Sequence, residues 1–147
     1  MRAKKSSGGK KLEVDSLHDA VRMGDLGKIR AFLIADPDLV SSKDETGRTP
    51  LHWAATMMYW VAKEDRQNVV KFLLTRRRID VNAKSDDGAT PLHDAVGNGQ
   101  NQMVELLLAH NADVNAKDNE GWTPFGMACF KVDWDLVELL REHGGQK

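Results

Sequence analysis

The chain has little of what staples or interrupts a fold. One cysteine, Cys129, among 147 residues excludes an intrachain disulfide. That fits a reducing compartment, so the expectation is cytoplasmic or nucleocytoplasmic. No apolar run approaches the roughly 18 to 20 residues that cross a bilayer. The basic N-terminus is followed by no apolar stretch of the secretory kind, and no membrane partner is expected. No glycine-rich phosphate loop is present, because Gly97-Asn98-Gly99 lacks the rest of any such motif.

What remains is balanced. Hydrophobic residues make up 41% and charged residues 29%, as in globular proteins. The net charge of −1 conceals an asymmetry. Arg2, Lys4, Lys5, Lys10 and Lys11 lie in the first eleven residues, which hold no acid; the rest carries 16 bases against 22 acids. A mildly acidic body argues against nucleic acid, whose phosphates require a basic surface. The opening MRAKKSSGGKK is polar and low in complexity. Residues 1–14 are therefore expected to be a disordered basic tail, and 15–147 the folded domain.

Self-comparison shows a repeat. Thr49-Pro50-Leu51-His52-Trp53-Ala54-Ala55 returns as Thr90-Pro91-Leu92-His93-Asp94-Ala95-Val96, and more loosely as Thr123-Pro124-Phe125-Gly126-Met127-Ala128-Cys129. An earlier copy, Asp15-Ser16-Leu17-His18-Asp19-Ala20-Val21, lacks Thr-Pro; the starts are 34, 41 and 33 residues apart. A second motif keeps step, Ile79-Asp80-Val81-Asn82-Ala83-Lys84 and Ala112-Asp113-Val114-Asn115-Ala116-Lys117, with Gly88 and Gly121 just before the next Thr-Pro. Each threonine stands where an N-cap oxygen is needed, with proline at the first helical position. Apolar residues at helical spacing follow in Val69, Val70, Leu73 and Leu74, in Met103, Val104, Leu107 and Leu108, and in Leu136, Val137, Leu139 and Leu140.

This pattern resembles the ankyrin repeat, over residues 15 to 145. The resemblance implies an all-α solenoid of stacked helix-turn-helix units joined by β-turn loops. Four repeats are expected, at about 15–48, 49–89, 90–122 and 123–145. Second helices are expected near 29–34, 69–75, 102–109 and 135–142. It also implies that His18, His52 and His93 tie neighbouring turns together. Their separations of about 34 and 41 residues are not a local zinc spacing, so no metal, cofactor or catalytic residue is expected.

The departures carry the specific information. The second repeat is eight residues longer than the usual 33, and the excess falls mostly in Thr56–Gln67, expected to extend its first helix and loop back. In the fourth repeat Val132 takes the place of the glycine between the helices. The resemblance implies contact with a folded partner protein through the concave face, formed by turn tips and first helices. Carried over residue by residue, that face holds Arg48, Trp53, Met57, Met58, Tyr59 and Trp60; then Asp94 and Asn98; then Trp122, Met127, Phe130, Lys131 and Trp134. Trp, Tyr, Met and Arg are the types enriched at interface cores. The unbound chain is expected to be a monomer. A natural adaptor and an engineered binder both fit; an enzyme or a structural spacer is the alternative class.

Overall fold

The computed structural model describes residues 7–56 and 61–146. Among them lie eight α-helices: α1 Ser7–Met23, α2 Leu26–Ala35, α3 Pro50–Ala55, α4 Lys63–Leu74, α5 Pro91–Gly97, α6 Asn101–Ala109, α7 Pro124–Phe130 and α8 Trp134–Glu142. A 3-10 turn, Pro37–Ser41, follows α2, and the described residues form no strand. First helices stack α1 on α3 on α5 on α7; second helices stack α2 on α4 on α6 on α8. The four second helices keep the phase that the apolar spacing dictates.

Local chemistry starts each first helix. Thr49, Thr90 and Thr123 are extended N-caps, each followed by proline. Thr123 Oγ1 accepts from the Gly126 amide at 3.0 Å. The proline needs no amide partner there, and its fixed φ suits the first helical turn. Leu51 and Leu92 are fully buried behind these caps, with Phe125 in the same role at 6% exposure, and Leu17 is buried at the matching position of α1. Ala54, Ala95 and Ala128 are buried where neighbouring first helices approach.

The turn tips, or fingers, stack as well. The Asp86 amide donates to Thr46 O at 2.9 Å, and the Asn119 amide to Asp87 O at 3.0 Å. Gly47 has φ +75°, and a Cβ there would meet the Asp86 amide nitrogen at 2.8 Å. Only glycine satisfies both that conformation and that approach. Lys43 and Lys84 reach across the fingers to Lys84 O and Lys117 O, at 3.0 and 2.9 Å.

Two expectations are corrected. Residues 7–14 are helical, because α1 runs back to Ser7. Tertiary contacts hold this extension: Val14 is buried in the core and Lys11 pairs with Glu45 of the second finger. In the second repeat, α3 ends at Ala55, as short as its counterparts. Part of the excess lengthens the second helix, since α4 spans 12 residues where α6 and α8 span nine; residues 57–60 of the expected loop lie outside the described residues.

The fourth repeat has lost the groups that engage a following one. Arg141 stands where Leu74 and Leu108 are buried in the preceding units, and Gly126 stands where His52 and His93 reach the next turn. Gly145 and Gln146 fold back instead: the Gln146 amide donates to Asn115 Oδ1 at 3.0 Å, and the Thr123 hydroxyl to Gln146 O at 3.3 Å.

Candidate partner-binding surface

The motif histidines act between repeats. The Thr49 amide donates to His52 Nδ1 at 3.1 Å, which leaves the proton on Nε2, and Nε2 lies 2.8 Å from Ala89 O. His93 repeats the arrangement, with the Thr90 amide at 3.1 Å and Trp122 O at 2.8 Å. Burial lowers the pKa of both rings, which favours the neutral tautomer this network requires. His18 is buried too, and burial lowers its pKa against the opposing pull of Asp44 and the Ser42 backbone. His110 and His143 cap their helices, each placing Nδ1 2.9 Å from the carbonyl four residues back. Described residues form no group of three or more His, Cys, Asp or Glu able to hold a metal ion.

The site candidates fall into three groups. Arg48, Trp53 and Asp94 form an internal polar cluster beside the finger that leads into α3. Arg48 Nη2 lies 3.0 Å from Asp94 Oδ1, and the guanidinium stacks 5.3 Å from the Trp53 ring centroid. Trp53 Nε1 donates to Asp44 Oδ2 at 2.8 Å. Burial pushes the Asp94 carboxyl up to about 6, outweighing the pull of Arg48, and its Oδ2 is buried without a partner. Desolvation thus exceeds the Coulombic gain of this pair. These three side chains are largely occupied by one another.

The second group is exposed. Phe130 is 77% exposed and Trp134 67%, while Trp122 meets Phe130 edge-on with centroids 5.5 Å apart. Three backbone bonds pin Trp122: its amide donates to Asp118 Oδ1 at 2.9 Å, and its carbonyl accepts from the Asp118 amide at 2.9 Å and pairs with His93. The ring is therefore presented from a fixed stem. Lys131 reaches back to Gly97 O, and Met127 packs beside Gly97. Asn98 caps α5 through a 2.7 Å bond from Nδ2 to Asp94 O, and stays exposed. Gly121, Trp122, Gly126, Cys129 and Phe130 line a notch of about 470 Å³, and Cys129 is partly buried against the core there.

The third group, Met57, Met58, Tyr59 and Trp60, lies outside the described residues. Val132, marked in the sequence as replacing the inter-helix glycine but not placed on the partner face, adopts φ +58° at 60% exposure beside these residues in the chain. The signal was its place opposite Gly24 and Gly99, the glycines of the same turn in the first and third repeats.

With the stack and its histidine ties in view, the chain belongs to the ankyrin-repeat family. The family model for ankyrin repeats in three copies matches residues 17–117 and 57–147. The chain is 34% identical over 91 residues to the 26S proteasome non-ATPase regulatory subunit 10 of Dictyostelium discoideum, covering 62% of this chain and 36% of that protein. It is 30% identical over 91 residues to a probable 26S proteasome regulatory subunit p28 of Saccharomyces cerevisiae, covering 60% and 37%. It is 37% identical over 90 residues to the neurogenic locus Notch protein of Drosophila melanogaster, covering 61% and 3%. The match thus spans little more than a third of the proteasome subunits and a small fraction of Notch. No helix among the described residues is long and apolar enough to cross a membrane.

Proposed function

We propose that this chain is a non-enzymatic interaction module that binds a folded partner protein through its concave turn-tip and first-helix face. The observation that carries the reading is the Trp122–Phe130 pair, two rings held outward by a hydrogen-bonded finger and a helix end. Exposed aromatics on a rigid stem lose little entropy on binding and make the strongest anchors. Arg48, Trp53 and Asp94 form a pre-organised polar floor beside them, and Asn98 and Lys131 supply exposed hydrogen-bonding groups. Met57, Met58, Tyr59, Trp60 and Trp134 extend the proposed contact. Two of the relatives are named as proteasome regulatory subunits, one expressly non-ATPase, which accords with a binding role. The free chain is proposed to be a monomer that uses neither metal nor cofactor, within the cytoplasm or nucleocytoplasm.

The test is capture of cross-linked partners from a cell extract by the wild type and by an Asn98→Arg, Trp122→Ala variant, compared at equal concentrations of folded protein. Loss of the partner by that variant supports the concave face. Capture that survives it, but fails when Lys71 and Glu105 on the second helices are reversed in charge, overturns the assignment.

A further inference from the structure

The last inter-helix turn keeps a conformation that its residue resists. Val132 sits at φ +58°, where a β-branched side chain crowds the backbone. The same turn is made without strain by Gly24 at φ +71° and Gly99 at φ +64°. At 60% exposure, Val132 regains little through burial. It lies between Phe130 and Trp134 in the chain, and Trp122 meets Phe130 edge-on. Four exposed apolar residues thus fall on the last finger, the end of α7, the turn after it and the start of α8. Folding does not demand them: the matching positions of the third repeat, which makes the same turn and helices, are Ala89, Gly97, Gly99 and Asn101. Strain and exposed apolar surface kept together mark a contact site.

The charges beside this ridge favour one kind of occupant. Glu120 precedes Trp122 by two residues, and Asp133 and Asp135 flank Trp134. The adjacent cation, Lys131, keeps its charge but is drawn back onto Gly97 O, and Asp133 caps α8 through the Leu136 amide, which leaves Glu120 and Asp135 as the carboxylates a partner would meet. We propose that the ridge Trp122–Phe130–Val132–Trp134 anchors the partner contact, and that its occupant is a protein segment with bulky apolar side chains bordered by lysine or arginine. The apolar groups cover the rings, and the cations meet Glu120 and Asp135 and the faces of the tryptophans. An acidic occupant would bring like charges together at a desolvating edge. This rests on the protein-binding reading above and adds the chemistry of the partner.

The test is fluorescence anisotropy with three labelled short peptides: an amphipathic leucine/lysine peptide, its leucine/glutamate counterpart, and a lysine/serine peptide. The leucine/lysine peptide is expected to bind best. Phe130→Ala or Trp134→Ala should each weaken it about tenfold or more, with the melting temperature unchanged. Glu120→Lys with Asp135→Lys should weaken it at low salt, less so at high salt. Failure of that peptide to bind, equal binding of the glutamate or serine peptide, or indifference to the aromatic substitutions overturns the proposal. So does sedimentation showing self-association that Phe130→Ala abolishes, which assigns the ridge to a second copy. If Asn98→Arg, Trp122→Ala loses the captured partner while the peptides show no charge preference, the binding reading stands and this one falls.

Discussion

Arg48 and Asp94, 46 residues apart in sequence, meet at 3.0 Å because the finger that leads into α3 lies beside α5. The carboxylate is charged by proximity to Arg48 and penalised by its own burial, and burial wins. The balance gives the pair a pH signature.

The folded Asp94 pKa, about 6, lies above the ordinary 3.8. A raised pKa means the native state binds the proton more tightly than the unfolded one. The stability this group contributes is complete below the ordinary value and is lost as pH rises through about 6. Asn in its place keeps an acceptor for Arg48 and removes the titration. The melting temperature of Asp94→Asn minus that of the wild type should therefore climb between pH 4 and pH 7 and then level off. A difference that stays flat across this range contradicts the burial argument.

The histidines have the opposite sign. Burial depresses His52 and His93, so their stabilisation is present above the ordinary 6.5 and is lost as pH falls below it. His93→Ala removes the tie to Trp122 O and strands the Thr90 amide. The expected cost is about 1–3 kcal/mol. In a linear array the damage stays near its source. Hydrogen exchange should therefore rise more in α7 and α8 than in α1 and α2. Uniform loss of protection along the stack counts against a nearest-neighbour tie.

Val132→Gly relieves the left-handed strain but frees the unfolded chain. The αL penalty is about 1–2 kcal/mol, and the added unfolded-state entropy takes back about 0.4–1 kcal/mol. A net gain of about 0.5–1 kcal/mol in chemical denaturation is expected. A loss of stability instead means that the valine packs in a way its exposure does not indicate.

Phe130→Ala separates binding from folding. At 77% exposure the ring adds little to the core, so the stability change should stay under about 0.5 kcal/mol. Partner affinity should fall at least about tenfold. Trp122→Ala should cost slightly more stability, because its ring is more buried than Phe130 and also packs beside Gly126. Paired melting and binding measurements on each variant decide the matter. A large drop in stability with affinity per folded molecule intact would make the pair a packing element.

Much of the fold was legible because ankyrin repeats are built from local signals. Thr-Pro marked each first-helix start, and apolar spacing marked each second helix. The glycines before Thr-Pro marked the finger turns, and His52 and His93 stood in phase to bridge them. The candidate surface was legible only as a set of positions. Trp53 and Trp122 are both tryptophans beside a finger, yet one is tied to Asp44 and stacked by Arg48 while the other stands half in solvent. No local pattern separates them, because the difference lies in which residue the next repeat brings alongside.

The sequence by itself therefore determined the repeat, its phase, the capped helix starts and the types of residue offered at the fingers. Those follow from backbone sterics and the period of apolar side chains, which act within a few residues of the chain. Stacking alone decided that a Gly- and Lys-rich leader becomes two turns of helix, through Val14 in the core and Lys11 on Glu45. Stacking likewise decided that α3 stays short while α4 is three residues longer than α6 and α8, that Arg48 is taken up by Asp94, and that Phe130, Val132 and Trp134 remain uncovered. Burial and charge pairing are properties of neighbours in space, and only the tertiary structure chooses those neighbours.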